Sequence, residues 1–229
     1  MTSIAEKIEV VSAHIRHFEQ RYHRAPGSVR LLAVSKKHSA EQIRLASVAG
    51  IEDFGENYLQ EATEKIALLD DLDLNWHFIG PIQANKTRGI AEHFDWVHSV
   101  AREKIARRLS EQRLDSKAPL NVCVQVNLSS QAGKSGTTLE QARALCECID
   151  LLPNLNLRGL MAIPAPLPDL ESQRTCFRQL ANEFERLAKQ FPAMDTLSMG
   201  MSDDFEAAIA EGSTLVRIGT AVFGARIGQ

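Results

Sequence analysis

Along the first stretch of the chain, apolar residues recur at three- and four-residue steps. Ile4, Ile8, Val11, Ile15, Phe18 and Tyr22 therefore share one face, which predicts an amphipathic helix over residues 3–24. Pro26-Gly27 closes it. Beyond that point the pattern changes character. Short apolar runs alternate with longer helical stretches, as in βα units whose strands are buried on both faces. The runs predict eight strands, at Arg30–Val34, Ile51–Phe54, Leu74–Phe78, Asp95–His98, Leu120–Val126, Leu157–Met161, Asp195–Ser198 and Thr214–Ile218. Helical segments separate them, among them Glu41–Val48, Arg102–Arg113 and Leu139–Leu151. The longest, Leu170–Phe191, carries Phe177, Leu180, Phe184 and Leu187 on one stripe and is closed by Pro192.

Alternating βα units point to a parallel sheet with helices outside it. Eight such units within 229 residues suit a closed barrel better than an open doubly wound sheet. An open sheet also usually carries a glycine-rich first turn, whereas Ser35-Lys36-Lys37-His38 follows the first strand here. The expected fold class is α/β, a single (β/α)8 TIM-type barrel with an extra N-terminal helix, with residues 1–229 forming one domain.

Composition narrows the partners. Forty-four per cent apolar residues and a net charge of −3 describe an ordinary soluble chain. They give no reason to expect nucleic acid, whose binding feeds on clustered Lys and Arg. No apolar run approaches a membrane span, and Glu6 and Glu9 stand where a signal peptide would be apolar. Cys123, Cys146, Cys148 and Cys176 contain no C-x-x-C pair and read as buried free thiols of a cytoplasmic protein.

In a barrel, chemistry sits on the loops that follow the strands. Lys36 follows the first strand, Gly55-Glu56-Asn57-Tyr58 the second, and His77 and Gly80-Pro81 lie in or after the third. The sixth ends at Met161-Ala162-Ile163-Pro164, the seventh at Ser198-Met199-Gly200-Met201-Ser202 and the eighth at Arg217-Ile218-Gly219-Thr220. Gly200 with Ser202, and Gly219 with Thr220, precede helices after strands seven and eight, where barrel phosphate sites recur. Alternatively, Ser202 and Asp203 cap a helix with Glu206 completing a capping box. Asp203 and Asp204 are expected to point away from a bound anion. A lysine at a barrel mouth is desolvated enough to form a Schiff base, but strand alternation alone does not choose between Lys36 and Lys37. Arg217, which must keep its proton, needs an acceptor: a carboxylate, or a pyridine nitrogen.

Other candidates are weaker. Gly133-Lys134-Ser135 resembles the end of a P-loop, but Leu128 stands where the first glycine belongs. His14 and His17 lack further ligands for a metal. His93 and His98 flank the fourth strand at opposite ends. Cys146 and Cys148 diverge on a helix and read as packing.

Leu31-Leu32-Ala33-Val34-Ser35-Lys36, Phe54-Gly55-Glu56-Asn57-Tyr58, Trp76-His77-Phe78-Ile79-Gly80, Gly159-Leu160-Met161-Ala162-Ile163, Leu197 to Asp204 and Val216-Arg217-Ile218-Gly219-Thr220 resemble, in order, the YggS/PROSC family. These are pyridoxal 5'-phosphate (PLP) homeostasis proteins, related to the N-terminal barrel of alanine racemase. The resemblance implies PLP held covalently on Lys36 rather than Lys37. It implies phosphate contacts from Ser202, Gly219 and Thr220, with Gly200 in the same cradle, and Arg217 facing the pyridine nitrogen. Asn57, His77, Met161 and Ser198 would line the ring. The chain departs from the family at His38-Ser39, where members often carry Lys-Pro or a second basic residue.

Two function classes follow: a non-catalytic carrier that buffers or delivers PLP, and an amino-acid racemase. A two-base racemase needs a second general base opposite the lysine, and in alanine racemase that tyrosine belongs to a C-terminal domain. Tyr22 and Tyr58 are the tyrosines here. The carrier is therefore favoured, as a monomer with PLP-dependent apoenzymes as acceptors and no metal. A barrel binding another phosphorylated metabolite is a third reading.

Overall fold

A computed structural model describes residues 2–129 and 135–224; Gly133 and Lys134 of the rejected P-loop resemblance lie outside them. The first helix, α1 (Ile4–Arg21), starts at a full capping box between Ser3 and Glu6 and buries Ile8, Val11 and Ile15. Glu19 is buried on the same face, where its carboxylate accepts from the backbone N–H of Gly27 and Val29 at 3.1 and 2.9 Å. That contact ties the turn after α1 to the first strand.

The order that follows is β1 (Arg30–Val34), α2 (Ala40–Val48), β2 (Asp53–Glu56), α3 (Leu59–Leu68), β3 (Asn75–Phe78), α4 (Thr87–His93), β4 (Trp96–Val100), α5 (Glu103–Gln112), β5 (Leu120–Gln125), α6 (Leu139–Asp150), β6 (Leu155–Met161), α7 (Leu170–Ala188), β7 (Thr196–Ser198), α8 (Phe205–Ala210), β8 (Leu215–Ile218) and α9 (Thr220–Phe223). The strands are parallel and close in sequence order, with β8 pairing back to β1 at Leu32↔Arg217 and Ala33↔Ile218. The expected eight-stranded barrel with an added N-terminal helix is the observed fold, and α1 packs on α2, α8 and α9 across its seam. No helix among the described residues is long and apolar enough to cross a membrane.

Several boundaries move: β4 runs on to Val100, β6 begins two residues early at Leu155, and two further shifts have local reasons. The second strand begins at Asp53 rather than Ile51, because the Ile51 amide still bonds to Ala46 at the end of α2. The long helix stops at Ala188, and the amides of Gln190 and Phe191 turn back to the Leu187 carbonyl. The cysteines also differ in part: Cys123 and Cys146 are buried, but Cys148 and Cys176 are half-exposed.

Side chains alternate between the barrel axis and the helical shell. Leu31, Ala33, Phe54, Trp76, Phe78, Val122, Val124, Val216 and Ile218 face the shell and, with the helix stripes, form the main core. Inside, the lowest layer holds Arg30, Asp53, Trp96, Asn121 and Arg158. Both guanidiniums sit over the indole, at 5.4 and 4.7 Å from its centroid. The next layer mixes Leu32, Cys123, Met161 and Leu215 with His77, His98 and Ser198. Barrel interiors are usually filled by branched aliphatic residues, so this polar set is unusual.

Candidate functional site

At the C-terminal ends of the strands, a cavity of about 600 Å³ is lined by Val34, Lys36, Asn57, Ile79, Ile163, Met201, Ser202, Asp203, Arg217, Gly219, Thr220 and Ala221. That size is ordinary for a small-molecule site, about 300–1,000 Å³.

Strand parity separates the two lysines. Arg30, Leu32, Val34 and Lys36 share the axial face of β1 and its extension, so Lys36 is carried to the cavity wall. Lys37 enters a left-handed turn (φ +64°) and is exposed. The turn between them is held from beneath. Lys65 Nζ donates to the Ser35 carbonyl at 2.8 Å, to Glu56 Oε1 at 2.7 Å and to Glu61 Oε1 at 2.6 Å. Glu61 also accepts from the Lys37 amide, and Ser35 Oγ donates to Glu56 Oε1 at 2.7 Å. His38 is buried against Phe223, stacked at 4.8 Å. Ser39 caps α2 in a box with Gln42.

Arg217 is 3% exposed and forms the polar floor. Nη1 donates to the Ser198 carbonyl and to Ser198 Oγ at 2.7 and 2.8 Å, and Nη2 donates to the Ala162 carbonyl at 2.8 Å. Burial lowers its pKa to about 10, with Asp204 pulling the other way, so it remains charged at neutral pH. On the wall, Asn57 Oδ1 is enclosed without a partner among the described residues, which a donor in the cavity would satisfy.

Ser202, Gly219 and Thr220, from the segments after β7 and β8, all line this cavity. The capping box expected of Ser202 and Glu206 does not form. Asp204 is the residue before α8, and Glu206 instead accepts from Arg21 and from Tyr22 Oη, each at 2.9 Å. Asp204 Oδ1 accepts from the Met201 amide at 2.6 Å, and burial raises its carboxyl above the usual range. Asp203, expected to turn away, lines the cavity wall.

The structure thus gathers Lys36, Asn57, Ser202, Arg217, Gly219 and Thr220 around one cavity. It places the others elsewhere. Met161 packs with Trp96 and Cys123 one layer down. His77 stacks on Trp96 at 5.3 Å and bonds to His98. Ser198 lies under Arg217. Met161 and Ser198 are the last residues of β6 and β7 and His77 the last but one of β3, so they stand at the strand ends without being among the residues that line the cavity. Gly200 has φ +95°, and a Cβ there would lie 2.6 Å from Ala208 Cβ, so its glycine serves the packing of α8. Sequence reasoning did not single out Asp53 or Lys65, although the even spacing of Asp53 from Gly55 and Asn57 is a usable signal. Tyr22 sits at the end of α1 and Tyr58 is half-exposed; neither lines the cavity.

Residues 10–227 match the family model of the alanine racemase N-terminal domain. The chain is 60% identical over 226 residues to the pyridoxal phosphate homeostasis protein of Pseudomonas aeruginosa, covering 99% of this chain and 97% of that one. It is 54% identical over 230 residues to that of Vibrio cholerae, covering 99% and 98%. Among solved structures it is similar to PipY of Synechococcus elongatus with PLP bound, at 38% identity and a TM-score of 0.82, covering 97% and 100%. Alanine racemase of Corynebacterium glutamicum shares the fold, at 17% identity and a TM-score of 0.65, covering 95% and 61%.

Proposed function

Because the chain belongs to the pyridoxal phosphate homeostasis protein family, we propose that it binds PLP at the barrel mouth and buffers or delivers it within the cytoplasm without robust catalysis. The observation that carries this is the convergence of Lys36, Arg217, Ser202, Gly219 and Thr220 on one cavity. The residues fit the cofactor: an amine, a fixed cation, hydroxyls beside a glycine, and the enclosed Asn57 oxygen awaiting a donor.

PLP supplies an aldehyde that condenses with an amine and a ring that withdraws electrons. In this reading Lys36 Nζ would be the amine that holds the aldehyde. Ser202, Gly219 and Thr220 hold the phosphate through N–H and O–H donors. Arg217 would face the pyridine nitrogen, and a guanidinium donor there would keep that nitrogen unprotonated and weaken the ring as an electron sink. That favours carriage over racemisation, and so does the position of both tyrosines away from the cavity. PLP-requiring apoenzymes are the acceptors and the carrier is a monomer.

The test mixes PLP-loaded protein with a PLP-requiring apoenzyme while free PLP is trapped. Activity should appear in the apoenzyme. Transfer that stops whenever the trap is present would overturn direct delivery. Steady exchange at Cα of one amino acid in heavy water, abolished by Lys36→Ala, would restore the racemase.

A further inference from the structure

Below the cavity floor, four hydrogen bonds run in series along the barrel axis. Arg217 Nη1 meets Ser198 Oγ at 2.8 Å, and Ser198 Oγ meets His98 Nδ1 at 2.9 Å. His98 Nε2 meets His77 Nδ1 at 2.9 Å, and His77 Nε2 meets Asp53 Oδ1 at 3.0 Å. The series descends from the mouth to the layer of Arg30 and Trp96. We propose that Asp53, His77, His98 and Ser198 form a one-way relay, with both imidazoles neutral and protonated on Nε2, that holds the Arg217 guanidinium aimed into the mouth.

The two ends dictate the polarity. A guanidinium only donates and a carboxylate only accepts, whereas a hydroxyl and a neutral imidazole each do one of each. Starting from Arg217, Ser198 Oγ accepts and passes its own hydrogen to His98 Nδ1. His98 then donates from Nε2 to His77 Nδ1, and His77 donates from Nε2 to Asp53. Every member is satisfied once.

The alternatives leave something unmade. Running the histidines the other way requires a protonated Asp53 and leaves the Ser198 hydroxyl hydrogen without its acceptor. Asp53 resists protonation: burial opposes its charge, but the His77 bond, the His77 ring and Arg30 together hold its carboxyl below the usual range. A charged imidazole is opposed too. Burial lowers the pKa of both rings; Arg30 presses on each, and Arg217 on His98, while Asp53 and Asp95 offset only part of this at His77. Buried polar networks fix a geometry when every member is satisfied. Here the member that benefits is Arg217, whose Nη1 is pinned by Ser198 and Nη2 by the Ala162 carbonyl while its side chain lines the cavity. Asp53, His77 and His98 are positioning residues, acting on the site through Ser198.

The proton pattern stands without the cofactor; its consequence for binding rests on the reading above. The experiment is a long-range ¹H–¹⁵N spectrum of histidine-labelled protein from pH 5 to 9, with rings assigned by loss of signals in His77→Gln and His98→Gln. Both rings should appear neutral, protonated on Nε2, and without titration. Either ring protonated on Nδ1, or charged at pH 7, would overturn the relay. Asp53→Leu should scramble the His77 tautomer and weaken PLP retention by roughly tenfold, the scale of one hydrogen bond. Asp53→Asn, which keeps an acceptor oxygen, should preserve both. An Asn variant as impaired as Leu also overturns the relay. A wild type with the expected spectrum that takes up no PLP would instead sink the cofactor reading and leave the relay standing.

Discussion

Lys65 and Glu56 form a buried ion pair, Nζ to Oε1 at 2.7 Å, with side chains only 8% and 0% exposed. The same ammonium grips the Ser35 carbonyl, one residue before Lys36. The pair therefore couples α3 and β2 to the turn that carries the proposed cofactor lysine.

Removing one partner of a buried pair strands the other charge, at a cost of about 3–5 kcal/mol. Lys65→Met should lower the unfolding free energy by about that much in urea melts. It should also increase hydrogen exchange at Lys36–His38. Loss of stability without a change in that turn would mean that the pair serves the shell alone.

Glu56 has a further oxygen, Oε2, enclosed without a partner among the described residues. Burial pushes its carboxyl above the usual range, although Lys65 and Ser35 pull it down. A folded pKa above the unfolded one contributes stability below the unfolded value, about 4.3, and loses it as pH rises through the folded value. Glu56→Gln should therefore gain stability relative to the wild type as pH rises from about 4 to 7, measured by denaturant melts. The opposite trend would mean that the Lys65 pairing outweighs burial.

Covalent attachment is expected on Lys36 alone, because its side chain reaches the cavity and Lys37 turns away. Borohydride reduction of the PLP-loaded protein followed by peptide mapping should place the label on Lys36. Label found mainly on Lys37 would reject the assignment.

If Ser202 holds the phosphate as proposed, Ser202→Ala should remove one charge-assisted hydrogen bond. The loss is about 1.5–3 kcal/mol, or roughly tenfold or more in PLP retention on dialysis. Unchanged retention would assign the holding to backbone N–H groups at Gly219 and Thr220.

Gly200→Ala places a Cβ in a left-handed conformation and 2.6 Å from Ala208 Cβ. The expected cost is about 2 kcal/mol or more in stability, read as a lower melting temperature. PLP affinity at low temperature should change little, which separates a packing glycine from a phosphate-binding one.

Hydrophobic periodicity alone determined the eight strands, the helices between them and the closed α/β barrel, because alternating short and long apolar segments admit few other architectures. It also set Lys36, Arg217 and the glycine and hydroxyl residues at strand ends. It did not decide which parity of each strand faces the axis, since both faces of β1 are apolar at Leu31, Leu32, Ala33 and Val34. Closure decided that, and with it which of Lys36 and Lys37 lines the cavity. It also lowered His77 and Met161 beneath the cavity and joined Asp53, His77, His98 and Ser198 across as many as 100 residues of sequence separation. Each of those contacts exists only because parallel strands in register stack their inward residues in shared layers. No local pattern carries information about the layer a distant strand will supply.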